Sequence, residues 1–177
     1  KPRPVPLNVR VFPLPERYVP MKSPSILLLA TVLWAAAAAA QPLKVFADKA
    51  YQPALREIVP QFTAQTGFEV QLTCGRSTAL AARIVRAETP PDVFFPAEAA
   101  ALQQVMEKGL VDVALKRNVL VAPPAEPVEG EPPPGPEYVA AAVLRDAANR
   151  LQAMAFLDYL GSEPARAVFA SHGFALP

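Results

Sequence analysis

One cysteine, one histidine and one tryptophan in 177 residues withhold the raw material of several common chemistries. A single thiol, Cys74, excludes a disulfide within the chain and leaves two roles, a small buried hydrophobe or a free thiol. Packing is the expected role, because a reactive thiol needs an electropositive, partly open site and only Arg76 is near in sequence. The lone histidine, His172, stands beside a terminal glycine, and no third residue completes a nucleophile–base pair with Cys74. Asp92 and Glu98 read as a strand-edge acid and an early-helix acid rather than a spaced catalytic pair. An enzyme is not expected, nor a resident metal or cofactor.

An excess of one charge is missing as well. Lys and Arg number 17 against 16 Asp and Glu, and no run of basic residues is interleaved with aromatics to track a phosphate backbone. Nucleic acid is therefore not an expected partner. Glycine is scarce, 7 residues against 22 prolines, and the prolines collect in two places where order is not expected. The first, residues 1–20 (KPRPVPLNVRVFPLPERYVP), keeps no helical or strand periodicity and reads as a disordered extension upstream of the real start at Met21. The second is residues 123–136 (PPAEPVEGEPPPGP), an extended linker.

What is present begins with residues 21–40. Lys22 precedes an apolar run over 26–40 that ends in small residues at Ala38 and Ala40, the layout of a secretory signal cleaved before Gln41. An uncleaved anchor is the alternative, but spanning takes ~20 apolar residues and this run is shorter. No stable membrane insertion is expected after cleavage. The rest of the chain, in a sequence 52% hydrophobic, is enough for one compact domain.

Residues 43–47 (LKVFA) read as a buried strand and 48–52 as the turn out of it, with Pro53 in the first turn of a helix where its missing N–H is harmless. Leu55, Ile58, Val59 and Phe62 recur at helical spacing, Pro60 is expected to kink that helix, and Gly67 falls where a left-handed cap belongs. Residues 68–72 (FEVQL) alternate as a strand. A second helix carries Leu80, Ala81, Ile84 and Val85 on one face. A third strand follows at 92–95 (DVFF), then a third helix at 97–108 closed by Gly109, and a strand at 118–122 (NVLVA). Beyond the linker, 138–144 is a strand, Ala153, Phe156, Leu157 and Leu160 mark a helix ended by Gly161, and Ser162 is placed to cap a last helix. Gly173 and Phe174 dock the terminus. This alternation predicts an α/β fold in three layers, a mostly parallel sheet with helices on both faces.

In such a sheet, ligands bind beyond the carboxyl ends of the strands. Two turns qualify, 48–52 and 75–78. At each, unpaired amides and the positive end of a helix dipole favour an anion, and the hydroxyls of Ser77 and Thr78 add neutral donors. Spacing leaves a second reading open: Ser77 or Thr78 simply caps its own helix.

Four segments in order, VFADKAYQPALREI, CGRSTALAARI, PPDVFFPAEAAALQQVMEKGLVD and AMAFLDYLGSEPARAVFASHGFALP, together resemble the periplasmic molybdate-binding proteins of molybdate ABC transporters. The resemblance covers most of 43–122 and 137–177. It implies a type II periplasmic binding protein fold, a tetrahedral oxyanion ligand (molybdate or tungstate), an inner-membrane ABC permease as partner and a periplasmic location. Ser77 matches that family's serine donor after the second strand. The serine expected after the first strand falls on Ala50, in a turn where Asp48 and Lys49 also replace small residues. The resemblance further implies two lobes, the first built from 41–122 and 137–177. The second lobe, with its own amide donors and a tyrosine hydroxyl, has only the linker 123–136 in its place. At ~1.5–3 kcal/mol per hydrogen bond to a charged ligand, losing about four donors removes roughly 6–12 kcal/mol and leaves millimolar binding or a remnant that binds nothing.

Overall fold

A computed structural model of the chain describes residues 41–86, 90–123 and 137–177. The expected upstream extension over 1–20, the expected signal over 21–40 and nearly all of the proline-rich linker lie outside the described residues.

Alternation of side chains organises the sheet. In β1 (Leu43–Asp48), Leu43, Val45 and Ala47 face one apolar cluster while Phe46 faces another. In β3 (Val93–Phe95), Val93 and Phe95 face the first cluster and Phe94 the second. In β5 (Tyr138–Leu144), Val139, Ala141 and Val143 oppose Ala140, Ala142 and Leu144 in the same manner. A sheet apolar on both faces must be covered on both. Helices α1 (Gln52–Thr66), α4 (Arg150–Leu160) and α5 (Glu163–Ser171) supply Leu55, Ile58, Phe62, Phe156, Leu160 and Phe169 to the first cluster. Helices α2 (Ser77–Val85) and α3 (Ala99–Glu107) cover the other with Leu80, Ile84, Leu102 and Val105. The three expected layers are present.

The strand order is β2-β1-β3-β5-β4, with β2 at Val70–Gly75 and β4 at Val111–Val121. β1 pairs in parallel with β2 and β3, whereas β5 runs antiparallel to both β3 and β4. Four of the five strands therefore share one direction, and the segment after the linker inserts against them. β4 is longer than the expected 118–122. Its extra residues mix Asp112, Lys116 and Arg117 with exposed Val113 and Ala114, and the register jumps from Val111↔Leu144 to Lys116↔Ala142, so backbone pairing at a bulged edge, not hydrophobic alternation, makes them strand. A second shift between Asn118 and Leu120 lets the consecutive residues Val119 and Leu120 join one cluster.

Pro60 lies inside α1, which runs on to Thr66. There Gly67, at φ 74°, donates to the Thr63 carbonyl at 2.8 Å in the left-handed cap its position suggested. Ser162 stands at the N-cap of α5, but its hydroxyl makes no bond into that helix; it donates back to the Tyr159 carbonyl at 2.6 Å. The terminus docks through Phe174, whose ring meets Tyr51 at 5.3 Å and Phe169 at 6.0 Å, and through a bridge between Val121 and Ala175.

At the amino edge of the sheet Asp92, 3% exposed, holds three segments together. Its carboxylate accepts from the Lys44 amide at 2.8 Å, and from the Asn149 amide and side-chain amide at 2.9 and 3.1 Å, tying β1 and β3 to the start of α4. Removing a carboxylate that satisfies buried donors costs ~1–3 kcal/mol or more. We expect Asp92→Ala to lower stability by about 2–4 kcal/mol in urea unfolding, with the slope unchanged; a loss below about 0.5 kcal/mol would show that these donors find other acceptors.

Candidate functional site

The carboxyl edge gathers the ends of β1, β2 and β3. Asp48 is the last residue of β1 and pairs in register with Gly75, the last of β2, while β3 ends at Phe95 and continues into Pro96 and Ala97. A Cβ on Gly75 would lie 3.3 Å from Leu80 Cγ, so glycine lets α2 start immediately beside the strand end. Arg76 takes the N-cap position in extended conformation, and Ser77 becomes the first residue of α2. On the β1 side, Lys49–Tyr51 form a single 3₁₀ turn leading into α1.

These turns bring together two of the three residues that sequence reasoning selected, but around a group it had not selected. The Asp48 carboxylate lies between them. Its Oδ1 accepts from the Ala50 amide at 2.9 Å, and its Oδ2 accepts from the Ser77 amide at 2.8 Å and the Ser77 hydroxyl at 2.5 Å. Ser77 Oγ in turn accepts from the Ala97 amide at 2.9 Å, which joins the end of β3 to the other two. Ser77 is fully buried and Asp48 is 8% exposed. Thr78 is exposed and its side chain makes no hydrogen bond among the described residues.

Ser77 therefore does not cap its own helix with its hydroxyl; a carboxylate from the neighbouring strand receives the first amide of α2 instead, at the positive end of the helix dipole. All three partners of Asp48 are donors, which is the arrangement an ionised, acceptor-only carboxylate satisfies. The sequence signal for Asp48 was its place as an acid two residues before an amide at a strand end, the pattern in which aspartate bonds its own backbone.

Two neighbouring groups register the surroundings of this carboxylate. The Tyr51 phenol, stacked on Phe95 at 4.5 Å between ring centres, is pushed well above its ordinary pKa by burial and then by Asp48. The Cys74 thiol is also pushed up, first by burial, with Arg56 opposing and Asp48 adding to the rise. Cys74 faces an open cavity of about 380 Å³ between α1 and β2, shared with Leu55, Arg56 and Leu72. His172 is not its partner. The imidazole Nε2 lies 2.8 Å from Glu57 Oε1. Asp92 and Glu98 flank β3 at opposite ends.

A second cavity, about 200 Å³, opens beside the clasp at Ala97 and is lined further by Glu98, Gln103, Lys116, Asn118 and Tyr138. Among the described residues no group of three or more His, Cys, Asp or Glu is placed to hold a metal ion. The convergent groups are amides and a hydroxyl, donors suited to an anion.

A family model described as bacterial extracellular solute-binding protein matches residues 43–134 and 129–175. No curated protein matches the sequence. Among solved structures, the chain is similar to the Azotobacter vinelandii periplasmic molybdate-binding protein, with a TM-score of 0.63 and 14% identity over 77% of this chain and 100% of that one. It is also similar to the sulfate-binding protein SubI from Mycobacterium tuberculosis H37Rv (TM-score 0.57, 12% identity, 76% and 86% covered). Iron-bound HitA from Pseudomonas aeruginosa gives a TM-score of 0.58 at 12% identity, with 74% and 84% covered. Likeness at these identities establishes a shared fold.

Because the thiolate is the reactive form, a raised pKa slows alkylation below the pKa. We expect Cys74 to react with iodoacetamide at pH 8 more slowly than a cysteine in the urea-unfolded chain. Asp48→Asn, which removes a charge that opposes the thiolate, should speed the folded-state reaction. Equal rates in the folded and unfolded chain would contradict the burial that raises this thiol.

Proposed function

The chain belongs to the bacterial extracellular solute-binding protein family, and we propose that it serves as the periplasmic solute-binding component of an ABC transporter for a small tetrahedral oxyanion, molybdate or tungstate. The observation that carries this reading is the convergence of the Ala50 amide and the Ser77 amide and hydroxyl on one buried point where an anionic group is held. Backbone amides at strand ends and helix starts stabilise an oxyanion without a counter-charge, and a hydroxyl adds a directed donor. Two structural relatives carry molybdate-binding and sulfate-binding in their names, both tetrahedral oxyanions, and one is an iron-bound protein. Amide and hydroxyl protons repel a metal cation and attract an oxyanion, which favours the first class. An inner-membrane permease would receive the solute.

Affinity should be low. Ser77 has one hydroxyl proton, and it is directed at Asp48, so an incoming anion must displace that carboxylate or forgo the bond. Each charge-assisted bond forgone is worth ~1.5–3 kcal/mol, about one to two powers of ten in affinity. The same saturation of donors supports a second reading, a family member that binds no solute at this point.

Calorimetric titration of residues 41–177 with molybdate, tungstate and sulfate separates the two. The oxyanion reading predicts saturable heat with a dissociation constant in roughly the millimolar range, weakened about tenfold or more in Ser77→Ala. Identical binding by Ser77→Ala would remove Ser77 from the site, and no heat with any of the three anions would leave the non-binding reading.

A further inference from the structure

The chemistry at the carboxyl edge is complete without any added molecule, and this bears on what the site can accept. Asp48 presents two oxygens to three donors drawn from two turns, and its principal partner, Ser77, is wholly buried. A carboxylate offers the same negative, planar-edge pair of oxygens that one face of a small oxyanion or a free carboxylic acid anion would offer. We infer that Asp48 is the specificity-determining residue of this seat, a tethered anion that occupies it and competes with free anions for its donors in the wild-type chain. The inference rests on reading these donors as an anion seat but not on which solute the protein carries.

Three features favour occupation over mere capping. A capping aspartate needs only its own turn, and the Oδ1 bond to Ala50 already provides that. Oδ2 instead reaches 29 residues along the chain to take both donors of Ser77. Ser77 Oγ is pinned from behind by the Ala97 amide, so one lone pair is used and the oxygen is held in place, leaving its proton to turn to whatever acceptor fills the seat. The donors would thus stay aimed at the same point if the carboxylate were cut away. Tethering gives the internal anion the advantage of effective concentration, which for a short link lies at millimolar or above and here acts at a distance of two bonds from the backbone.

Cutting the side chain back should leave a seat shaped for one small anion. Asp48 has φ −62° and ψ 144°, ordinary extended backbone, so Asp48→Ala introduces no strain. Asp48→Ser retains a short oxygen for the Ala50 amide and vacates the space beside Ser77. Asp48→Asn keeps the seat filled in shape, with its NH2 set against a donor, and serves as the control for an occupied seat.

The test measures melting temperature and calorimetric binding for all four chains with sodium formate, acetate and molybdate against chloride at equal ionic strength. Asp48→Ala and Asp48→Ser are expected to melt below wild type and to recover saturably with formate or acetate, while wild type and Asp48→Asn stay unchanged. Molybdate should bind the two opened variants at least about tenfold more tightly than wild type, and adding Ser77→Ala should abolish the recovery. The inference is overturned if both variants fold yet bind none of the anions better than wild type, or if neither folds even in acetate. Recovery by formate in the variants with no molybdate binding by wild type upholds the inference and removes the proposed oxyanion transport. Millimolar molybdate binding by wild type that Asp48→Ala leaves unchanged does the reverse.

Discussion

Three uncharged donors aimed at one buried point need an acceptor, and the structure turns on the fact that Asp48 supplies it from within the chain. The helices and turns that follow parallel strands start in unpaired amides, so the carboxyl edge of such a sheet accumulates donors with no intrinsic partner. A dry version of that edge is stable only if an anion, a water or a side chain completes it. Asp48 completes it, and through Ser77 and Ala97 the ends of β1, β2 and β3 become one hydrogen-bonded unit.

The opposite edge shows the same physics put to a different use. Asp92 also accepts from three donors while nearly buried, but those donors come from a strand residue and from the residue that starts α4. That arrangement holds the segment beyond the linker to the body of the sheet. Two buried aspartates thus sit at opposite ends of adjoining strands. One fastens a connection, and the other fills the point where the donors of the carboxyl edge converge. The distinction comes from position: the carboxyl edge is where helix starts converge and where an open α/β sheet takes ligands.

Much of the fold was legible because its signals are local. Short apolar runs at 43–47, 92–95 and 138–144, helical spacing of Leu80, Ala81 and Ile84, and a glycine after Thr66 each reflect contacts within a few residues or the burial of a strand on both faces. The first half of β4 was not legible. Residues 112–117 alternate poorly because the strand is a bulged, half-exposed edge, and only pairing with β5, which lies beyond the linker, makes it strand. Ser162 shows the limit of a local rule in the other direction, since its hydroxyl prefers the carbonyl behind it to the amides ahead.

The candidate site divides along the same line. Sequence alone marked two turns as rich in donors and the Ser77 and Thr78 hydroxyls in one of them, because turn chemistry and helix starts are written in runs of four or five residues; Ala50 was reached only through the family resemblance. Only the tertiary structure decided what those donors hold. The Asp48↔Gly75 register sets a carboxylate from one turn against the first amide and hydroxyl of the other, 29 positions away, and no short-range pattern encodes which of several polar groups will meet across a strand pairing.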